Sequence, residues 1–287
     1  MQNDKINLSL IIPIGLMLFS FFFGAGNLIF PPVLGQMAGE NISWGMLGFC
    51  LSGVGFPLLG VLAMAMKQSD NPDSIAMPMH PLYARAVTIL CALAIGPLFA
   101  IPRTAAVSFD TGIHSLLPAS CEALGLPVYT VFFFVLTYFF SINPSKIIGH
   151  IGKFLSPMLL ICLAVLVICV FVNPTGSLKM PNPDFAASPF FRGFQEGYNT
   201  MDLLAAILFG SITIKAIEAQ GITDKKVLTK LCSYAGLIAA FFLAIIYAAL
   251  AYTGALSINV FGVIPNGATL LSKICTYYMG FGGQVVL

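Results

Sequence analysis

Apolar runs of roughly 20 residues, each long enough to cross about 30 Å of hydrocarbon as a helix, recur along this chain. Seven are readable, at about 8–30, 43–66, 86–109, 126–142, 154–172, 198–217 and 231–256, and an eighth begins near Met279. The fourth is short and the sixth carries charge. Composition agrees with membrane residence: 58% of the 287 residues are hydrophobic and 8% are charged, whereas a soluble domain carries about a quarter charged residues. The expected fold class is an all-α polytopic membrane protein.

The first run follows Lys5 and ends in small residues, as a signal peptide does. It is longer than the usual apolar core of such a peptide, and six further spans follow it, so it is read as a true span. Basic residues are retained on the cytoplasmic side of a membrane. With the N-terminus inside, Lys5, Lys67, Arg85, Lys146, Lys153, Lys215, Lys225, Lys226 and Lys230 fall on that side, and Lys179, Arg192 and Lys273 fall outside. This asymmetry predicts a cytoplasmic N-terminus and an odd number of crossings.

Several functions are disfavoured. The formal charge of +2 is spread along the whole chain, with no basic cluster for nucleic acid. The seven cysteines form no C-x-x-C pair, and His80, His114 and His150 have no ligand-type neighbours in sequence, so no metal site is expected. No H-E-x-x-H, G-x-S-x-G or P-loop pattern is present, and the chain is not expected to be an enzyme. The best boundary is the segment 173–189, which holds Pro174, Pro181, Pro183 and Pro189 and is unable to be helix or strand for long. It divides the chain into residues 1–175, with five spans, and 176–287, with two spans and the start of another.

Two segments violate the rules for a membrane helix. Span one contains Gly24-Ala25-Gly26-Asn27 two-thirds along its length, and each glycine costs about 1 kcal/mol relative to alanine in a helix. Pro31-Pro32 is expected to close that segment. One reading is a helix unwound around Ala25, whose freed N–H groups hold a carboxylate while freed carbonyls hold a cation. The other is a small-residue notch for close helix packing. Span six opens on Glu196-Gly197-Tyr198-Asn199-Thr200-Met201-Asp202. A carboxylate in the bilayer is expected to face the bundle interior, which makes Asp202 a candidate cation ligand, amine partner or structural acceptor. It also suits the cap of a half-helix starting near Leu203. The two breaks open the two halves separated by the proline-rich loop, and matched interruptions are the best sequence pointer to a transporter's central site.

Arg103 and Asp110 lie seven residues apart on span three, on one face but separated by about 10 Å of helix rise. Direct pairing is therefore not expected, and each should find another polar partner. They are read as structural intramembrane charges rather than substrate contacts, and Pro97 and Pro102 are candidate kinks. The segment 222–228 reads as a short helix capped by Thr223, with Lys225, Lys226 and Lys230 at anionic headgroups.

The stretches Phe23-Gly24-Ala25-Gly26-Asn27-Leu28-Ile29-Phe30-Pro31-Pro32, Gly96-Pro97-Leu98-Phe99-Ala100-Ile101-Pro102-Arg103-Thr104-Ala105 and Gly197-Tyr198-Asn199-Thr200-Met201-Asp202 closely resemble the bacterial branched-chain amino acid symporters. Gly221-Ile222-Thr223 and Asn266-Gly267-Ala268 extend the resemblance. It implies a LeuT-like, five-plus-five inverted-repeat core in a twelve-span inner-membrane carrier that imports leucine, isoleucine and valine with sodium or protons and needs no cofactor. On this sequence, Gly24, Ala25, Gly26 and Asn27 would hold the substrate carboxylate, and Tyr198, Asn199, Thr200 and Asp202 would face its amine. Phe23, Asn27 and Asp202 would be cation ligands. An aliphatic substrate also suits a pocket floored by phenylalanines. A carrier for another neutral amino acid, a channel and a non-transporting receptor are the alternatives. Relatives continue beyond a motif like Gly280-Phe281-Gly282-Gly283, so a truncated product, inactive alone, is expected from the resemblance.

Overall fold

The computed structural model describes residues 8–114, 117–118, 122–142, 156–222 and 224–280. Among these residues the secondary structure is helical, with no strand. Lys5, Cys121, Lys146, His150, Lys153, Thr223 and the segment 281–287 lie outside the described residues.

The first span is two helices, α1 (Leu8–Phe22) and α2 (Ala25–Ala38), separated at Phe23 and Gly24. The break is narrower than the expected Gly24–Asn27, because Ala25 to Asn27 already form the first turn of α2. Nor do Pro31 and Pro32 end the segment: α2 continues through both. Their lost amide donors are tolerated because the helix is clamped elsewhere. A Cβ on Gly35 would collide with the backbone carbonyl of Ala251, and one on Gly254 with the backbone of Pro32. Two backbones thus lie in direct contact, as small residues permit between membrane helices.

After α2, Gly39 takes a φ of 48° and a short 3-10 turn leads into α3 (Ile42–Cys50), a π turn over Leu51–Gly55 and α4 (Phe56–Lys67). Span three is α5 (Pro81–Leu93) and α6 (Ala100–Ser108), joined through a kink at Gly96 with ψ −117° and ending in a π turn over Phe109–Ile113. The expected kink region at Pro97 therefore holds, whereas Pro102 sits in the first turn of α6, where a missing amide is harmless. Next come α7 (Glu122–Ser141) and α8 (Ser156–Val172). The proline-rich linker contains only the five-residue α9 (Pro183–Ala187).

Span six begins earlier than the hydropathy suggests. Helix α10 (Pro189–Tyr198) precedes the polar stretch, and α11 (Asp202–Glu218) follows it at an angle of 46°. The polar run is therefore an interruption within a span rather than its beginning. Arg192, Gln195 and Glu196 obscured α10, yet Gly193 approaches the backbone of Gly45 and Gly48 approaches that of Phe190, seating this helix on α3.

Helix α12 (Lys225–Phe261) is continuous over 37 residues, so the separate short helix expected over 222–228 does not exist. Asp224 is its cap, accepting from the amides of Lys226 at 2.8 Å and Val227 at 3.0 Å. Helix α13 (Gly267–Met279), capped by Asn266, closes the described chain.

Four helical runs among the described residues are long and apolar enough to cross a bilayer, and the bent α10–α11 pair makes a fifth; α1 and α8 are shorter apolar helices. Helix α12 is the central post, against which α1, α2 and α4 pack. Tyr247, fully buried at its centre, joins Phe49, Leu34 and Phe19 in the main core. Helix α7 instead exposes Val131, Phe132, Val135 and Phe139. A helix apolar on its outward faces belongs against lipid, and the protein is an integral membrane protein. Lys215 pairs with Asp70 at 3.6 Å, and Gln68 donates to the carbonyl of Lys225, so Lys67, Lys215 and Lys225 gather at one end of the bundle. The Lys179 carbonyl meets the Glu40 amide at the end where α2 finishes.

Candidate functional site

The two interruptions meet. Asn27, in the first turn of α2, turns its side-chain oxygen back onto the amide of Gly24 at 3.0 Å, and its side-chain nitrogen donates to Asp202 Oδ2 at 2.6 Å. Asp202 opens α11 and is 5% exposed; Asn27 is 2% exposed. The hydroxyl of Tyr247 donates to the same carboxylate oxygen at 3.2 Å and also receives the Asn27 amide. Three elements distant in sequence thus share one polar knot, as burial of a carboxylate in hydrocarbon demands.

The chain reaches Asp202 through Met201, which has φ 69° and ψ 11°. This left-handed conformation costs a non-glycine residue about 1–2 kcal/mol. The Thr200 hydroxyl donates to the carbonyl of Gly197 at 2.8 Å, and the Asp202 amide donates to that hydroxyl at 3.4 Å. Thr200 therefore braces the turn from inside.

Arg103 comes from α6. Its guanidinium donates through Nη1 to the carbonyl of Asn199 at 2.9 Å and through Nη2 to that of Thr200 at 3.3 Å, and it lies 5.4 Å from the ring centroid of Phe30. Arg103 and Asp110 do not pair with each other. Asp110 instead accepts from the Asn266 side chain at 3.0 Å, which fastens the C-terminal end of span three to the cap of α13.

Together these groups surround a cavity of about 100 Å³. Its polar wall contains Gly24, Ala25, Gly26, Asn27, Arg103, Thr200 and Asp202, and its apolar wall includes Phe21, Phe22 and Phe209. Phe209 meets Phe21 and Phe22 at 5.5 and 5.4 Å between ring centroids. Phe23 turns away, stacking on Phe19 and Tyr247. Tyr198 is 47% exposed and lies outside the cavity, and Asn199 contributes only its carbonyl, its side chain donating to Glu196 at 3.4 Å. Of the residues singled out from sequence, Tyr198, Asn199 and Phe23 are thus not cavity-lining, whereas Arg103 is. Tyr247 escaped notice because one aromatic inside an apolar run reads as core. No group of three or more potential metal-ligating residues occurs among the described residues.

The two interrupted helices of this integral membrane protein thus enclose a cavity that is charged on one wall and aromatic on the other. The particular family is shown by comparison: residues 7–287 match the branched-chain amino acid transport protein family, and the chain belongs to it. It is 44% identical over 286 residues to the branched-chain amino acid permease BrnQ of Bacillus subtilis, covering 100% of this chain and 65% of that protein. Identity is 43% to the permease BraB of the same organism and 38% to BrnQ of Escherichia coli K12, each over 96% of this chain and 62% of the relative. The chain therefore spans somewhat under two thirds of the length of these relatives. No solved structure matches it.

Proposed function

We propose that the protein imports leucine, isoleucine and valine across the bacterial inner membrane, coupled to sodium or protons, by alternating access on a LeuT-like inverted-repeat core. The observation that carries this reading is the cavity between the two breaks. It offers opposite charges and a helix N-terminus on one wall and phenylalanine rings on the other. A zwitterion with a branched aliphatic side chain matches that division.

In this reading the N-terminal turn of α2 meets the substrate carboxylate and Asp202 meets the amine. A coupling cation is served by Asn27, Asp202 and the backbone at Phe23. Names of the relatives support the substrate class. The grouping of Lys67, Lys215 and Lys225 at one end supports a cytoplasmic N-terminus.

The test is uptake of radiolabelled leucine by cells lacking their own leucine carriers and expressing the full-length protein, in sodium and in choline buffer. Saturable uptake competed by valine and isoleucine, but not by lysine, is expected. Competition by alanine alone would point to another neutral amino acid, and binding without flux to a receptor.

A further inference from the structure

We infer that Arg103 is the receptor for the carboxylate of the carried amino acid, acting beside the amides of Ala25 and Gly26. The inference deepens the amino-acid reading of the cavity and rests on it. Its first support is an unpaired arrangement of charge. Arg103 and Asp202 line the same cavity, yet among the described residues no ion pair joins them. Asp202 holds Asn27 and Tyr247 on Oδ2, both neutral donors, and meets no cation there. Arg103 spends one donor on each of two carbonyls, which leaves three of its five N–H groups. Opposite charges held apart within hydrocarbon are costly unless something comes between them. A zwitterion brings a cation to Asp202 and an anion to Arg103 at once.

The second support is steric. A Cβ on Gly26 would lie 3.0 Å from Nη2 and 3.3 Å from Cζ of Arg103. A side chain there would push the guanidinium back by a few tenths of an ångström, so glycine favours its close approach to the first turn of α2. The amides of Ala25 and Gly26 belong to that turn, whose N–H groups have no acceptor within α2 itself. A planar fork and two amides thus converge on one edge of the cavity, a geometry suited to a carboxylate. The carbonyls of Asn199 and Thr200 and the Phe30 face fix the fork, so it is pre-set rather than gathered on binding.

A structural clamp on the α10–α11 break would use the same two carbonyl bonds, and substrate chemistry separates the possibilities. Full-length protein in lipid nanodiscs is titrated with L-leucine and with L-leucinamide, which keeps the amine and side chain but lacks the carboxylate. The wild type is expected to prefer leucine by about 10- to 100-fold, the range of a charged hydrogen-bonded pair. In Arg103→Ala that ratio falls to within about threefold, because leucine weakens while leucinamide hardly changes. Arg103→Lys, which keeps charge but not the fork, is expected to retain part of the ratio and provides the same readout if the alanine variant does not fold. Equal weakening of both ligands, with the ratio kept, would overturn the assignment and leave Arg103 a clamp. Failure of the wild type to bind leucine at all would instead sink the amino-acid reading of the cavity.

Discussion

Asn27 and Asp202, 175 residues apart, are joined by a 2.6 Å hydrogen bond that ties the N-terminal turn of α2 to the N-terminal turn of α11. Both helices direct their positive ends at this point, so a carboxylate placed there is favoured by two half-helix dipoles as well as by its donors. The amide of Asn27 reaches Asp202 while its carbonyl oxygen occupies the Gly24 amide. One side chain therefore sets both the shape of the first break and its spacing from the second.

Replacing Asn27 by leucine should remove all of these bonds while keeping volume. Asp202 Oδ2 would retain Tyr247 alone, and the Gly24 amide would lose its acceptor. A buried unsatisfied group costs about 1–3 kcal/mol, more when charged. Asn27→Leu is expected to lower the melting temperature in detergent by several degrees and to abolish leucine binding. An unchanged melting curve would mean that the knot is not stabilising.

Tyr247→Phe is a gentler change. The ring keeps its edge contact with Phe49 at 5.2 Å and its stacking on Phe23 at 6.5 Å between centroids, and only the hydroxyl leaves. Stability should fall by about 1 kcal/mol. Tyr247 holds Asp202 from behind and does not line the cavity, so leucine affinity is expected to drop about 3- to 10-fold through misplacement of the carboxylate. An affinity within twofold of wild type would remove Tyr247 from that role.

Both breaks were readable in the sequence, because glycine, asparagine and aspartate inside an apolar run have few tolerable explanations in hydrocarbon. The residues that complete the site were less visible. Tyr247 has no local signature, since its polar atom finds a use only when α12 stands beside α2 and α11. Met201 reads as an ordinary apolar residue, and its left-handed backbone is imposed by the turn around Thr200. Arg103 was visible as a charge, but its reach to Asn199 and Thr200 depends on how α6 leans after Gly96. Hydropathy also misplaced the start of span six, because α10 turns its glycines to α3 and carries polar residues elsewhere. Pro31 and Pro32 show tertiary contact overriding a local helix-breaking signal.

The glycine contacts along α2 and α12 should be among the least tolerant positions. Gly35→Val and Gly254→Val place carbon into the backbones of Ala251 and Pro32, neither of which is able to yield without separating the two helices. Overpacking of this kind costs about 1–3 kcal/mol or more. Folded yield, read by size-exclusion chromatography of a fluorescent fusion, is expected to fall sharply for both. Gly112→Ala is the control: a Cβ there meets nothing within 4 Å, so its yield should match wild type. Equal behaviour of Gly35→Val and Gly112→Ala would contradict the close approach of α2 and α12.

Outside the membrane, Asp224 offers a titration with a definite sign. The amides of Val227 and Lys226 hold its carboxyl below the usual carboxylate range, with the neighbouring lysines assisting. A group whose folded value is depressed stabilises the folded state above its unfolded value, about 3.9, and that contribution is lost as pH falls through the depressed folded value. Protection of the Lys226 and Val227 amides from hydrogen exchange, corrected for intrinsic rates, is therefore expected to be flat above about pH 5 and to decline only in stronger acid. Asp224→Asn keeps an acceptor oxygen but does not titrate, so its protection should stay level through the acid range. An acid decline of equal size in both proteins would assign the effect to some other group and leave the Asp224 cap without a charge contribution to the start of α12.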